Sequence, residues 1–261
     1  MALKITKEIL DAFHIDCEGR QLKGGRGQAY LFDDIVIKPV EISAYYDAVS
    51  DIFNQLQPKN YRISRPLKAI NGHYSFKGYG ATRYEDGHDD DNKVKEKLKV
   101  SHNLHGDLYE LNITELPKSD DPWSRAHDML WRRMKYHGHN EMEKFCNDLL
   151  DKLPIHHEAY QLIHSDLGGN VMFHDHLLPL VIDFSPAIAP KKFADAVIVC
   201  DSIAWGNQPL SKLELLDASY RTMILYAVAF RIITIVNFGT YDMNRLMEEW
   251  NAYKAVWDYV Y

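Results

Sequence analysis

The spacing of apolar residues changes along the chain and divides it into two regions. In the first region, apolar residues alternate with polar ones or form short runs between turn residues, a pattern that indicates β-strands. These runs are residues 20–40, 61–70 and 73–83. Asp33-Asp34 and Asn71-Gly72 mark turns between strands, the second of the type I′ kind. The runs together predict a small antiparallel sheet. Helical spacing in residues 1–16 and 41–56 predicts two helices, and the second of these helices is inserted between strands of the sheet.

A run of acidic residues, 85–92, separates this region from a mostly helical one, and we expect the run itself to be a solvated loop. The predicted helices are residues 92–111, 122–135, 140–152, 154–163, 211–238 and 242–259, and two strand-like runs are residues 171–173 and 179–183. The pattern therefore predicts an α+β protein in two parts, residues 1–85 and residues 86–261.

Composition and charge exclude several classes of protein. Hydrophobic residues make up 46% of the chain, which is enough for a core and rules out global disorder. The net charge of −7 argues against nucleic-acid binding through phosphates alone. The apolar stretch 215–239 contains Arg221 and Arg231, so we expect a buried core helix and no membrane partner. Widely spaced cysteines and the lack of an apolar leader after Met1 favour a cytoplasmic location.

Two features of the first region could bind phosphates. Gly24, Gly25 and Gly27 lie between two strands, where glycine lets a backbone approach a phosphate closely. Lys38 ends an apolar strand eleven residues after Gly27, on the same face as Val36. A glycine-rich hairpin is usually only a turn. The lysine that follows it one hairpin later is what favours a phosphate site.

A third motif has the residue types that phosphoryl transfer needs. Asp166 can orient an attacking hydroxyl and accept its proton, whereas Asn170 and Asp183 supply the hard oxygen ligands that Mg²⁺ prefers. The two strand-like runs between Asn170 and Asp183 predict a hairpin that returns Asp183 towards Asn170. Each residue alone could be a turn former, but the set in this order indicates a catalytic site.

These motifs resemble those of the protein-kinase-like superfamily, in particular its aminoglycoside phosphotransferase and choline kinase branch. The segment from His164 to Asn170 is similar to the His-Gly-Asp-Leu…Asn catalytic loop of that branch, and Ile182-Asp183-Phe184-Ser185 is similar to its Ile-Asp-Phe-Gly/Glu segment. The chain also looks like a group of bacterial proteins with a Gly-Gly-x-Gly loop, a Leu/Ile-Lys-Pro strand and a His-Gly-Asp-Leu-x-Gly-Asn loop. The resemblance covers residues 20–205 and implies a bilobal protein-kinase-like fold, with a small antiparallel-sheet N-lobe and a mostly helical C-lobe.

The resemblance implies a nucleotide-binding set in the first region. Its members are Gly24, Gly25 and Gly27 over the triphosphate, Lys38 on the α- and β-phosphates, and the hinge residues Thr82, Arg83 and Tyr84 against adenine. The family also places a carboxylate partner for the lysine on the following helix. Asp47 is the favoured candidate for that partner, followed by Asp51.

The resemblance implies that Asp166 is the catalytic base and that Asn170 and Asp183 hold Mg²⁺. Asp201 would open a helix and brace the catalytic loop by accepting backbone hydrogen bonds; an ordinary N-cap role is the alternative. The chain departs from the family in one main respect. Three residues, not four, separate Asp166 from Asn170.

We therefore predict a phosphotransferase that uses ATP and Mg²⁺ and transfers the γ-phosphoryl group to a hydroxyl of a small-molecule acceptor. Two alternatives stay open: a nucleotide-binding module without phosphotransfer, and transfer of AMP on the same fold. The sequence predicts neither the acceptor nor the oligomeric state.

Overall fold

The computed structural model describes residues 5–22, 27–138 and 140–261. They form two compact units, the first within Met1–His88 and Met172–Phe184 and the second within Asp89–Val171 and Ser185–Tyr261. The predicted single division after residue 85 therefore differs from the structure, which joins the hairpin Met172–Phe184 to the first unit. Two contacts explain this: a strand of the hairpin pairs with residues 62–63, and the ring of Phe184 stacks on Phe53 at 4.8 Å.

The first unit is built on an antiparallel sheet, as predicted. Its helices are α1 (Lys7–Ala12) and α2 (Ser43–Gln55). Its strands are β1 (Arg20–Gln21), β2 (Tyr30–Phe32), β3 (Ile35–Pro39), β4 (Arg62–Ile63), β5 (Pro66–Leu67), β6 (Ser75–Phe76) and β7 (Tyr79–Arg83), and the chain returns with β9 (Val171–Met172) and β10 (Leu180–Val181). The main sheet has the order β1-β2-β3-β7-β5, with β6 beside β7.

Alternation along β3 fixes which side chains face the core. Ile37 is fully buried in the core of the first unit and Ile35 packs against the same cluster. Because successive side chains of a strand point to opposite faces, Lys38 lies on the other face, as predicted. The Asp33-Asp34 turn joins β2 and β3, which are paired up to Phe32 and Ile35.

The Asn71-Gly72 turn is not of the predicted type I′. That type requires positive φ at both central residues, and of the two only Gly72 has it, at +80°. Asn71 instead uses its side-chain oxygen to accept a hydrogen bond from the backbone N–H of His73 at 3.0 Å. This local side-chain bond replaces the backbone geometry that the sequence pattern predicted.

The second unit is mostly helical. Its helices are α3 (Val94–Glu110), α4 (Pro122–Leu130), α5 (Glu141–Asp151), α6 (Lys191–Ala204), α7 (Arg221–Asn237) and α8 (Met243–Val260), with 3₁₀ turns at Leu210–Leu215 and Ala218–Tyr220. The strands β8 (Tyr160–His164) and β11 (Pro186–Pro190) pair antiparallel. The predicted helix 154–163 is wrong, because the backbone of its second half pairs with β11.

Helix α7 crosses the interior of the second unit. The stretch Ala218–Asn237 is long and apolar enough to span a membrane, yet 72% of its 18-residue apolar window is buried inside the protein. This burial is that of a core helix, as the two arginines of the sequence indicated. Arg231 is itself 5% exposed, so its charge requires partners within the protein.

A buried polar network supports the strand that leads into the candidate catalytic loop. Ser101 Oγ donates to Asp195 Oδ1 at 2.6 Å and lies 2.9 Å from His105 Nδ1. Because the single hydroxyl proton is used on Asp195, Nδ1 of His105 must donate to Oγ. Nε2 is then free to accept from the backbone N–H of His164 at 3.1 Å. The network therefore requires a neutral imidazole, and burial lowers the pKa of His105 to about 3.

We expect the protein to lose stability in acid. Burial also lowers the pKa of His127 to about 3, whereas an unfolded histidine titrates near pH ~6.5. Between these two pKa values the unfolded chain binds protons at these histidines and the folded protein does not. The contribution of each neutral imidazole to the free energy of unfolding is therefore complete above pH ~6.5 and is lost as the pH falls towards 3. Between pH 7 and pH 5, each histidine should lower the free energy of unfolding by about 2 kcal/mol.

Urea unfolding at the two pH values measures this loss. Between pH 7 and pH 5, the free energy of unfolding of His105→Gln should fall by about 2 kcal/mol less than that of the wild type. His176→Gln, at an exposed turn residue, should keep that of the wild type. An unchanged pH dependence in His105→Gln would contradict the assignment.

Candidate functional site

Lys38 and Asp183 form an ion pair within the first unit, so two of the predicted site residues are brought together. Nζ of Lys38 donates to Oδ1 of Asp183. Burial is the largest single influence and lowers the pKa of Lys38, but the charge and hydrogen bond of Asp183, together with the interaction with Tyr46, outweigh burial and raise the pKa, so the lysine is charged. Asp183 has φ +48°, a left-handed conformation that non-glycine residues adopt rarely and that is concentrated at functional sites.

Helix α2 presents a tyrosine near Lys38, where a carboxylate was expected. The ring of Tyr46 lies over the β7 glycine that pairs with Lys38, where an added Cβ would be 2.4 Å from the ring. Asp47, one residue and about 100° further round the helix, has Oδ2 at 3.1 Å from Nδ1 of His73. The structure therefore corrects the predicted pairing of Lys38 with Asp47, since Tyr46 occupies the side that faces the sheet. The second candidate, Asp51, is exposed.

The predicted hinge is engaged by the sheet of the first unit. Thr82 is paired in the middle of β7. The backbone N–H groups of Arg83 and Tyr84 donate to the carbonyls of Arg65 at 2.8 Å and Asp34 at 2.7 Å. The Arg83 side chain also pairs with the carboxylate of Asp34. These two N–H groups are therefore engaged by backbone carbonyls of the first unit, and the prediction that the backbone of these residues binds adenine stays a prediction.

Only one glycine of the predicted phosphate loop can be placed. Gly24 and Gly25 lie outside the described residues. Gly27 lies between β1 and β2 with φ +64°, and its carbonyl accepts from Nε2 of Gln21 at 2.5 Å. The positive φ accounts for a glycine at this position. The phosphate-binding role of the loop stays a prediction.

Asp166 and Asn170 come together in the second unit, in the loop after β8. Nδ2 of Asn170 donates to the backbone carbonyl of Asp166 at 2.7 Å and lies 3.5 Å from its Oδ2. The backbone N–H of Asn170 donates to Leu167 at 3.2 Å, which closes a tight turn. The shortened spacing between the two residues therefore still folds the amide back onto the carboxylate. Because Nδ2 makes these contacts, the oxygen is the end of the Asn170 amide that could serve as a metal ligand.

A buried arginine on α7 holds Asp166. Nη2 of Arg231 donates to Asp166 Oδ1 at 2.5 Å and also to Oδ2 of Asp201, while Nε donates to Asp201 Oδ1 at 3.1 Å. Tyr253 donates its hydroxyl to the same Asp201 oxygen at 2.7 Å. The guanidinium also lies over the ring of Trp205, with Cζ 4.9 Å from the ring centroid. Arg231 therefore joins two carboxylates in one buried cluster.

The arginine determines the charge state of Asp166. Burial alone would raise the pKa of this carboxyl, but the charge and hydrogen bond of Arg231 outweigh burial and lower it. For Asp201, burial dominates and raises the pKa. Asp201 lies near the end of α6, so it does not open that helix as predicted, and its carboxylate accepts hydrogen bonds from the side chains of Arg231 and Tyr253.

A second buried cation anchors the same loop. Nζ of Lys97, whose residue is 2% exposed, donates to the carbonyl of Gly168 at 2.6 Å and to Asp89 at 2.8 Å, and lies 3.5 Å from Asp91. The acidic run is largely exposed, as predicted, but the carboxylates of Asp89 and Asp91 are also partners of this buried lysine. A buried charge must be paired, and this pairing connects the run to the catalytic loop.

Sequence reasoning did not assign Arg231 and Lys97 to the site. The signal for Arg231 was present, because a charged residue in an otherwise apolar buried helix requires an internal partner. The partner could not be identified, since Asp166 lies 65 residues away along the chain. Lys97 gave no comparable signal, because lysines are frequent on the solvated faces of helices.

The residues predicted to hold Mg²⁺ have suitable chemistry. Asp183 offers a carboxylate and Asn170 an amide oxygen, both hard ligands. Among the described residues, no group of three or more His, Cys, Asp or Glu side chains is arranged to hold a metal ion. Mg²⁺ beside a nucleotide usually needs only one or two carboxylates, because phosphates and water supply the other ligands.

Comparison with solved structures identifies the fold. Amicoumacin kinase hAmiN, solved with AMP-PNP, Ca²⁺ and Ami, matches with a TM-score of 0.65 at 13% identity, over 97% of this chain and 92% of its own. Choline kinase LicA from Streptococcus pneumoniae matches at 0.59 and 14% identity, over 97% and 98%. Spectinomycin phosphotransferase APH(9)-Ia, with ADP and spectinomycin, matches at 0.57 and 17% identity, over 95% and 92%.

These matches confirm the predicted resemblance to the aminoglycoside phosphotransferase and choline kinase branch at the level of the fold, which is protein-kinase-like. No protein-family model matches the sequence, and no curated protein matches it. At this low identity the structures establish the fold alone.

Neighbouring glycines in the catalytic loop should respond differently to the same substitution. A Cβ on Gly168 would lie 2.7 Å from Oδ2 of Asp201, which Arg231 and Tyr253 hold in place. A Cβ on Gly169 would meet nothing within 4 Å. We expect Gly168→Ala to lower the free energy of unfolding by about 1–3 kcal/mol because of this overpacking.

Gly169→Ala is the matched control and should change stability by less than about 0.5 kcal/mol. Chemical denaturation of both variants measures the difference. Equal stability of the two variants would show that Asp201 is not held as described.

Proposed function

We propose that the protein is an ATP-dependent phosphotransferase that acts on a hydroxyl group of a small molecule. The acceptor oxygen forms a bond to the γ-phosphorus of ATP, the bond from that phosphorus to the bridging oxygen breaks, and ADP leaves. The proton of the acceptor hydroxyl passes to Asp166 and then to solvent. Catalysis on this proposal is mainly positioning and charge neutralisation.

The observation that carries the proposal is the local geometry of the catalytic loop. Asn170 folds back onto Asp166 through a 2.7 Å hydrogen bond, and Asp166 stays ionised because Arg231 lowers its pKa. An ionised carboxylate orients a hydroxyl before transfer and accepts its proton late, which suits the loose transition state of phosphoryl transfer. The side chain of Asp166 is 23% exposed, so a hydroxyl can reach it.

The ion pair of the first unit supports the nucleotide-binding half of the proposal. Lys38 is charged and partly exposed, and on this proposal it contacts the α- and β-phosphates of ATP. Asp183 and Asn170 are the proposed ligands of Mg²⁺, which when bound would neutralise charge on the phosphate oxygens. The roles of Gly27, and of Gly24 and Gly25 beside it, belong to the same proposal.

The solved structures with this fold support a small-molecule acceptor. Spectinomycin phosphotransferase APH(9)-Ia was solved with spectinomycin beside ADP, and amicoumacin kinase hAmiN with Ami beside AMP-PNP. We propose an acceptor of this general kind, a small molecule that carries a hydroxyl group, for this chain. A cytoplasmic location, predicted from the sequence, forms part of the same proposal.

One observation favours a second function, a nucleotide-binding module without phosphotransfer. Oδ1 of Asp166 is occupied by Arg231, so only Oδ2 can serve an acceptor. If the guanidinium reduced the basicity of the carboxylate too far, the protein would bind nucleotide without turnover. The same experiment separates the two functions.

Replacing the carboxylate of Asp166 should abolish turnover and leave nucleotide binding intact. We expect Asp166→Asn to lower the rate of ADP release from Mg²⁺-ATP by about 10²–10⁴-fold, the usual contribution of a general base. Slow hydrolysis with water as the acceptor gives the first readout, followed by a panel of aminoglycosides and hydroxylated metabolites. Nucleotide affinity, measured by calorimetry, should stay within about threefold.

Asp175→Asn, at an exposed turn residue, is the control and should keep wild-type turnover. A wild type that binds nucleotide but turns over with no acceptor would favour the binding module. Mass analysis of the products separates a gain of phosphate from a gain of adenylate, and adenylate would replace our proposal by AMP transfer.

Lys38→Met should weaken ATP binding by about 10–100-fold, because hydrogen bonds to charged groups contribute about 1.5–3 kcal/mol. Lys77→Met is the matched control, since Lys77 is an exposed lysine that pairs with Glu8. Titration of both variants with AMP-PNP measures the effect. Equal affinity of the two variants would remove Lys38 from the nucleotide site.

A further inference from the structure

We infer that Arg231 is a positioning residue for phosphoryl transfer: it fixes the Asp166 carboxylate through Oδ1 and so leaves Oδ2 to orient the acceptor hydroxyl. This inference rests on the proposed function. It concerns a residue of α7, a helix outside the motifs that suggested the activity. Its basis is the set of contacts around one buried guanidinium.

The first step of the argument is that the Arg231 guanidinium is itself immobile. Its residue is 5% exposed, and two of its nitrogens donate to the carboxylate of Asp201. Asp201 is held in turn by the hydroxyl of Tyr253, and Trp205 covers the guanidinium. A planar guanidinium with these partners has one orientation, which a flexible lysine could not reproduce.

The second step is that this fixed group contacts one particular oxygen of Asp166. Nη2 lies 2.5 Å from Oδ1, whereas Oδ2 has, among the described residues, only the long 3.5 Å approach of Asn170 Nδ2. The two oxygens are therefore not equivalent. The hydrogen bond selects the rotamer of the carboxylate and directs Oδ2, the weakly engaged oxygen, to the position from which it can accept from a hydroxyl.

The third step is that the positioning of the carboxylate affects the rate of transfer, and has little effect on the affinity for ATP. A carboxylate displaced by about 1 Å can cost about 10²-fold in rate. The Arg231 cluster contains no residue assigned to the nucleotide. We therefore expect loss of the arginine to lower kcat and to leave the KM for ATP within about twofold.

Kinetics of Asp166 and Arg231 variants, alone and combined, test the inference. Slow ADP release from Mg²⁺-ATP, with water as the acceptor, is measured for Arg231→Gln, Asp166→Asn and the double variant. We expect Arg231→Gln to lose about 100-fold in kcat. Because it acts through Asp166, the double variant should be no slower than Asp166→Asn alone, within about threefold. Effects that multiply in the double variant would overturn the inference.

Two further variants separate positioning from folding. Arg231→Lys keeps the charge but loses the fork, so we expect it to fold and to recover only part of the kcat. Arg221→Gln, at an exposed arginine on the same helix, should keep wild-type kcat. Thermal unfolding verifies that each variant is folded. Full wild-type kcat in a folded Arg231→Lys or Arg231→Gln would also overturn the inference.

A measurement that does not depend on turnover distinguishes failure of the proposed function from failure of the positioning role of Arg231. The guanidinium resonances of Arg231 in ¹⁵N-labelled protein should shift in Asp166→Asn and stay unchanged in Asp175→Asn. If the wild type showed no turnover but these resonances shifted, the proposed function would fail while the contact stands. If they did not shift, the positioning role would be overturned, whatever the activity.

Discussion

A guanidinium buried on α7 is the constraint on which the second unit depends. Arg231 cannot be solvated at 5% exposure, so its charge must be balanced by the carboxylates that surround it. Asp201 supplies one from α6 and Asp166 the other from the catalytic loop. Three segments far apart in sequence are therefore fixed relative to one another by the need to pair one charge. Removing one partner of such a cluster typically costs about 3–5 kcal/mol, because it leaves the others buried and uncompensated.

The candidate catalytic loop is closely packed at Gly168, although a side chain at Gly169 would enter open space. Gly168 passes so close to Asp201 that a side chain would collide with it, and the carbonyl of Gly168 accepts from the buried Lys97. Strand β8, which leads into the loop, is held at His164 by the neutral imidazole of His105. Backbone hydrogen bonds and sterics thus hold the loop that carries Asp166, and the proposed function would require preorganisation of this kind.

The sequence was most informative where chemistry depends on local pattern. Alternation placed Lys38 on the face opposite Ile37, and the order of the motifs indicated the protein-kinase-like fold. It was least informative where a residue depends on partners distant along the chain. Asp47 and Tyr46 are neighbours on α2, and only the packing of that helix on β7 decides which of them faces Lys38. The strands β8 and β11 form by pairing with each other, and β11 is distant in sequence from residues 154–163. The helical pattern in those residues was therefore misleading.

The two ion pairs that involve predicted site residues differ in burial, and this difference suggests which of them can be exchanged. The side chains of Lys38 and Asp183 are 30% and 53% exposed. An ion pair so close to solvent contributes only about 0–1 kcal/mol, so phosphate and metal could replace its two partners at little cost. The side chains of Arg231 and Asp201 are 6% and 5% exposed, so separating them would leave two buried charges uncompensated, at a typical cost of about 3–5 kcal/mol. On the proposed function, Lys38 would exchange its carboxylate partner for phosphate each time ATP enters and leaves, whereas Arg231 would keep Asp166 in one orientation throughout.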